Sequence, residues 1–443
     1  MDKQKSVLNA LSVIIDPDLN NDIVSLGFIK DLKIDGGNVT FKVELTTPAC
    51  PVKDLFKKQA ETEVSKLDWV TNVTVIMTAS TPKKNEKLKG LEKVTSIIAV
   101  SSCKGGVGKS TVAVNFAMNL AMEGAKVGLF DADVYGPSLP TMVDTYHQDL
   151  SFNGSLIEPI EMHSIKLMSF GFVNPESDSS GPAILRGPMV TQIINQLLLG
   201  TNWGELDYLV IDMPPGTGDV QITLAQIIPI TAAILVTTPQ FISFIDVMKG
   251  LEAFDNLKIP TIGAVENMSY YLLPDGTKDY CFGKGSIERL KNEFGFQHTI
   301  QVPIESAISQ SGDEGVPYAL RYPNSESSKI INAFTKEMIK EISRVRLGKV
   351  SPPKIGYEPT LGILVKPEDG NPFHVNCKKL RLACNSALSK TEIGNKSLIK
   401  ESDIPEDIHP LSMNPVGNYA LGITWSDHQS SLYPYHLLYE LAG

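Results

Sequence analysis

Nine consecutive residues, Cys103-Lys104-Gly105-Gly106-Val107-Gly108-Lys109-Ser110-Thr111, have the types and spacing to hold a phosphate chain. Gly105, Gly106 and Gly108 let the backbone curl. Its N–H groups, Val107 and Thr111 included, then face phosphate oxygens at a helix start, where the helix dipole also favours anions. Lys109 is placed to hold the β- and γ-phosphates of ATP, and Ser110 a Mg²⁺ ion. The other reactive side chains are thiols. Cys50, Cys103, Cys281, Cys377 and Cys384 are odd in number and scattered, which reads as reduced cysteine and not a disulfide framework.

The elements that must position this loop are legible around it. Ile97 to Ser101, Val127 to Asp131, Tyr208 to Ile211, Ala232 to Thr237 and Thr261 to Val265 are near-continuous apolar runs, the pattern of strands buried on both faces of a parallel sheet. Between the first two, Ser110 to Glu123 carries a helical stripe (Val114, Phe116, Ala117, Leu120, Ala121) closed by Gly124, which completes a βαβ unit. A helix is expected from Ser325 to Arg346.

Upstream, a helix, strands at Ile29 to Ile34 and Asn38 to Leu45, a helix from Pro51 to Leu67 and a strand from Val70 to Met77 describe an α+β unit. Downstream, Leu361 to Val365, Lys379 to Ala383 and Tyr419 to Trp425 read as strands. Polar, Lys-rich or Pro-rich stretches separate the units. The expected division is 1–81, linker 82–93, central 94–346, linker 347–354 and 355–443.

A net charge of −10 argues against a broad nucleic-acid surface. No apolar run approaches the roughly 20 residues that cross a bilayer, so no membrane span is expected. The opening Met1-Asp2-Lys3-Gln4-Lys5 is unlike a signal or transit peptide, and the expectation is a cytoplasmic protein.

The loop departs from the ordinary phosphate-loop pattern, which has Gly where this chain has Cys103 and does not require Lys104. In this it resembles the deviant Walker A motif of the ParA/MinD/Mrp group. That resemblance implies that Lys104 reaches across a nucleotide-sandwich homodimer to the partner's phosphates. It also implies that Asp133, in Asp131-Ala132-Asp133, orients the attacking water, that Asp212 at the end of Tyr208-Leu209-Val210-Ile211-Asp212 serves Mg²⁺, and that Asn267 contacts the base. The segment Met213-Pro214-Pro215-Gly216-Thr217-Gly218-Asp219 would be the nucleotide-sensing switch. A turn-forming role for Asn267 stays open beside the base contact.

The runs Asp131-Ala132-Asp133-Val134-Tyr135-Gly136-Pro137-Ser138, Arg186-Gly187-Pro188-Met189 and Val265-Glu266-Asn267-Met268 resemble the Mrp/ApbC iron–sulfur carrier branch. The N-terminal unit, with Asp16-Pro17-Asp18 and Thr46-Thr47-Pro48-Ala49-Cys50-Pro51, is similar to SufT/PaaD-like assembly domains. The C-terminal unit, ending in Leu432-Tyr433-Pro434-Tyr435, is similar to the N-terminal module of gamma-butyrobetaine hydroxylases. Their order resembles plastid high-chlorophyll-fluorescence-type [4Fe-4S] scaffolds. The implied function is an ATP-hydrolysing carrier delivering [4Fe-4S] clusters to apo iron–sulfur proteins, alongside cluster-assembly proteins. A nucleotide-switched adaptor without a cluster and a partitioning ATPase stand as alternatives.

Many carriers of this branch place a Cys-x-x-Cys pair shortly after the Glu-Asn-Met segment, and this chain has none. The candidate cluster ligands are therefore Cys50, Cys281, Cys377 and Cys384. Cys50 stands in a loop entering a helix, where the dipole favours thiolate. Cys281 is the thiol closest to the position of the missing pair. Cys377 and Cys384 share a face if helical and oppose each other in a strand. Cys103 reads as packing, as does the aromatic cluster Trp425, Tyr433 and Tyr435. The expected fold is an α/β P-loop NTPase with a mostly parallel sheet, flanked by a small α+β unit and a small β-rich unit.

Overall fold

The computed structural model describes residues 3–16, 21–45, 47, 49, 53–79, 90–145, 148–173, 187–216, 218–284, 286–348, 352–367, 370–383, 390–391, 394–397, 404–417 and 419–442. Cys50, Cys384, Arg186, Thr217, most of the first linker and residues 349–351 of the second lie outside them.

Apolar residues alternating along Asn38–Leu45 bury Val39, Phe41, Val43 and Leu45 on one face. The strand sits between Ile29–Asp35, antiparallel, and Asn72–Ala79, parallel. Helix Lys53–Ser65 covers the sheet with Phe56, Ala60 and Val64, closing a small separate core.

The central unit contains an eight-stranded sheet. Its strands are β1 (Val94–Ser101), β2 (Val127–Asp131), β3 (Ile160–Met162), β4 (Ile165–Ser169), β5 (Leu206–Asp212), β6 (Ala232–Thr237), β7 (Thr261–Glu266) and β8 (Thr299–Gln301). They lie in the order β3-β4-β2-β5-β1-β6-β7-β8, parallel except for the edge strand β3. Strands β2 and β6 are buried at every residue because helices cover both faces, which is why they read as unbroken apolar runs. The covering helices include α1 (Lys109–Met122), α2 (Phe241–Asn256) and α3 (Glu326–Arg346), the last capped by Ser325 accepting from Ser328 N–H at 3.1 Å.

The C-terminal unit has two three-stranded sheets, Lys354–Glu358 with Gly362–Lys366 and Phe373–Val375, and Pro410–Val416 with Ala420–Trp425 and Ser430–Pro434. The strand expected from Lys379 to Ala383 is instead a helix, Cys377–Leu382. Asn376 caps it by accepting from Lys379 N–H at 3.0 Å, and Leu380 points into the core at helical spacing from Cys377. Trp425 and Tyr433 are core as expected, edge-to-face with centroids 6.0 Å apart and joined by Trp425 Nε1–H donating to Tyr433 Oη at 3.1 Å.

Both flanking units meet the central one at the edge where its strands begin. Tyr208, near the start of β5, donates from its hydroxyl to Thr47 of the N-terminal unit at 2.7 Å. Tyr419 of the C-terminal unit stacks on Phe296, with centroids 5.5 Å apart, and donates to Asp255 near the end of α2 at 2.7 Å. The edge where the parallel strands end, at Ser101, Asp131 and Asp212, carries the phosphate loop.

Candidate functional site

Strand β1 ends at Ser101 and α1 begins at Lys109, so residues 102–108 form the loop between them. Gly106 and Gly108 hold φ of +78° and +82°, a region that costs other residues roughly 1–2 kcal/mol. At Gly108 a Cβ would also come within 2.1 Å of Asn267 Nδ2. That amide donates to Val107 O at 2.9 Å, so Asn267 braces the loop from the end of β7. A Cβ at Gly105 or Gly106 would meet nothing within 4 Å, because both face an open cavity of about 250 Å³. Lys104, Lys109, Ser110, Thr111, Asp133 and Pro215 share its wall.

Parallel register sets Asp212 of β5 directly beside Asp131 of β2. Lys109 reaches down from the first turn of α1 and donates to Asp212, with both side chains buried. Burial pushes the Asp212 carboxyl up, and the Lys109 ammonium opposes that push. Asp131 is pushed up to about 7, by burial first and then by the neighbouring Asp212 charge. It nevertheless accepts from Asp133, Ser138 and Leu139 N–H and from Ser169 Oγ–H, at 3.1, 3.1, 3.2 and 3.1 Å. Asp131 thus builds the turn that carries Asp133 to the cavity wall. Asp133 accepts in turn from Tyr135 and Gly136 N–H at 3.2 Å each.

Lys104 stands at the cavity rim with a third of its side chain exposed, 3.1 Å from the carboxylate of Asp246 on α2. Lys249 shares that carboxylate at 3.3 Å. The Lys104 hydrogen bond holds Asp246 below the ordinary carboxylate range. Sequence reasoning missed Asp246, although it is the single acid in the run Phe241-Ile242-Ser243-Phe244-Ile245-Asp246. The segment after β5 is tied to the loop by Met213 N–H to Val100 O and Gly216 N–H to Ser102 O, each at 3.0 Å. Gln221, on the helix that follows, donates to Ser101 Oγ. One cavity is therefore lined by Lys104, Gly105, Gly106, Gly108, Lys109, Ser110, Thr111 and Asp133, while Asp212 lies behind Lys109, and Val107 and Asn267 lie outside the lining, bonded to each other.

The described thiols are not gathered. Cys281 is exposed beside a short hairpin (Tyr271–Leu272 with Lys278–Asp279), its Sγ 3.6 Å from the Asp279 carboxylate. Cys377 is buried in the C-terminal core, and burial pushes its thiol up. Cys103 packs where a Cβ on Gly250 would fall, and burial pushes its thiol up to about 11, against thiolate chemistry. Among the described residues no three His, Cys, Asp or Glu side chains come together as a metal would require.

Three family models match this chain. Residues 93–339 match the NUBPL iron-transfer P-loop NTPase model, 4–75 an iron-sulfur cluster assembly protein model, and 361–439 the gamma-butyrobetaine hydroxylase-like N-terminal model. The Fe-S cluster assembly factor HCF101, chloroplastic, of Oryza sativa subsp. japonica is 47% identical over 446 residues, 99% of this chain and 82% of that protein. The iron-sulfur cluster carrier protein of Synechocystis sp. is 43% identical over 351 residues, 77% of this chain and 98% of that one. Among solved structures, a nucleotide-binding protein in complex with ADP from Archaeoglobus fulgidus is 34% identical, with a TM-score of 0.47 over 52% of this chain and 90% of its own. With its phosphate loop closing a mostly parallel sheet, and with relatives matching from end to end, this chain belongs to the iron-transfer P-loop NTPase family.

Proposed function

We propose that this protein is a Mg²⁺-dependent, dimer-dependent ATPase that carries [4Fe-4S] clusters to apo iron–sulfur proteins. The observation that carries the ATPase reading is the single cavity joining an open glycine cradle, the buried Lys109–Asp212 pair and Asp133. These residues fit the group they would hold. Gly105, Gly106, Val107, Gly108 and Thr111 present backbone N–H groups to the phosphates, and Lys109 exchanges Asp212 for them. Ser110 and the freed Asp212 then hold Mg²⁺, which when bound supplies positive charge to the phosphate oxygens. Asp133 orients the attacking water. Asn267, on the loop here, contacts the base. Lys104 leaves Asp246 and extends to the phosphates of a second copy, where its charge offsets that developing in phosphoryl transfer.

The cargo reading rests on the relatives, which are named cluster assembly factor and cluster carrier. Cys281 is the exposed thiol among the described residues, so it is the first proposed ligand, with Cys50 and Cys384 beside it. Cys377 is already occupied in packing. Among the described residues the thiols are dispersed, which favours a cluster shared between copies and is also the observation that favours the second reading, an adaptor holding no cluster. The chain is divided into three working units by the stretches 82–93 and 347–354.

Anaerobic iron–sulfur reconstitution tests this, read by Mössbauer and visible spectra on the intact chain and on Cys→Ser variants. The carrier reading expects a [4Fe-4S] spectrum that Cys281→Ser loses and Cys377→Ser keeps. No cluster in any nucleotide state leaves the adaptor.

A further inference from the structure

A second cavity, of about 250 Å³, lies where the C-terminal unit meets the starting edge of the central sheet. Thr261 at the head of β7, His298 before β8, and Glu341 and Arg344 on α3 form one wall. Tyr435 and His436, opening the C-terminal helix Tyr435–Glu440, form the other.

Three of these residues carry a buried polar atom without a hydrogen-bond partner: Thr261 Oγ1, His298 Nε2 and Tyr435 Oη. Thr261 and Tyr435 are only 3% and 7% exposed. His298 Nε2 lies 3.3 Å from Glu341, close enough for a charge contact but without hydrogen-bond alignment. Leaving such a group unmade costs roughly 1–3 kcal/mol, and folded proteins seldom do so. Three around one cavity point to a molecule that belongs there.

The lining also states what kind of molecule. All three groups can donate a hydrogen bond, and burial keeps the Tyr435 hydroxyl protonated by pushing its pKa up. Arg344 adds a guanidinium. The lining's one carboxylate, Glu341, is held below the usual range despite burial by His298 and by Arg344, which donates to it at 2.9 Å. Donors are in excess. Among the described residues no metal-binding group forms here.

We infer that this cavity binds a small oxyanion, a carboxylate or a phosphate, which bridges the C-terminal unit to the ATPase unit. The inference is independent of the nucleotide and cluster readings. Its test is calorimetric titration of the full chain, saturated with Mg-ADP to fill the phosphate loop, with citrate and separately with inorganic phosphate. Tyr435→Phe and Thr261→Val remove one hydroxyl each at nearly constant shape. In the absence of probe both variants melt at or above the wild-type temperature, because each loses an unpaired buried group. With probe, each binds about tenfold or more weakly than wild type, as expected for losing a hydrogen bond to a charged ligand. Tighter binding of citrate assigns a carboxylate, and tighter binding of phosphate a phosphoryl group. If neither probe binds, or if both variants bind as wild type does, the cavity holds only water and the inference is overturned.

Discussion

Lys109 and Asp212 stabilise each other only as a pair, since both are shut from water. Removing one partner of a buried ion pair leaves an uncompensated charge and costs about 3–5 kcal/mol. Lys109→Met is therefore expected to lower the urea-unfolding free energy of the nucleotide-free protein by about that much and to abolish ATP turnover. Lys109→Met/Asp212→Asn should recover most of the stability and none of the turnover; additive losses in the double variant would refute the coupling. At this scale the sequence was most informative where glycine spacing and a Lys-Ser pair must coincide, as from Cys103 to Thr111. It was silent on Asp246, because the partner of Lys104 lies 142 positions away and is set by how α2 packs, not by local spacing.

Helix α2 joins two distant parts of the molecule. Asp246 holds Lys104 at the phosphate loop, and Asp255, nine residues further along at about 1.5 Å per residue, holds Tyr419 of the C-terminal unit. The Lys104–Asp246 pair lies at the cavity rim within reach of solvent, so Asp246→Ala is expected to leave the urea-unfolding midpoint nearly unchanged. The same change frees Lys104 and should lower the protein concentration at which ATP induces dimers, measured by analytical ultracentrifugation. An unchanged or higher dimerisation midpoint would remove the holding role. Gly108→Ala, by contrast, adds a left-handed alanine and displaces Asn267, so nucleotide affinity should fall by more than tenfold in a titration. The doubly buried strands were legible because short runs that are apolar at nearly every position fit a strand covered on both faces. The helix Cys377–Leu382 was not, since six residues are too few for a 3.6-residue period to outweigh a short apolar alternation, and its Asn376 cap was the overlooked signal.

At the scale of the whole molecule, both flanking units dock at the starting edge of the sheet, and among the described residues neither lines the phosphate-loop cavity. The C-terminal dock is expected to respond to pH. Burial raises the Asp255 carboxyl above its ordinary value in the folded state, outweighing the Tyr419 bond, so folding favours its protonated form. That contribution is complete below the unfolded carboxylate pKa of about 3.9 and is lost as pH rises through the raised folded value. The dock should therefore loosen as pH is raised across that window, seen as earlier exchange of Tyr419-region amides, and Asp255→Asn should flatten the dependence. A dock that tightens with rising pH would contradict this. The three-unit order was legible from composition breaks, but which edge each unit occupies depends on Thr47, Tyr208, Asp255 and Tyr419 meeting across 161 and 164 positions, contacts no local pattern encodes. The central claim is that ATP turnover drives cluster delivery. Its most direct test loads the intact chain with a [4Fe-4S] cluster anaerobically and follows transfer to an apo iron–sulfur enzyme, with and without Mg-ATP, in wild type and Lys109→Ala. Transfer accelerated by Mg-ATP in wild type and unresponsive in Lys109→Ala is the predicted result; equal, nucleotide-independent transfer by both proteins would contradict the account.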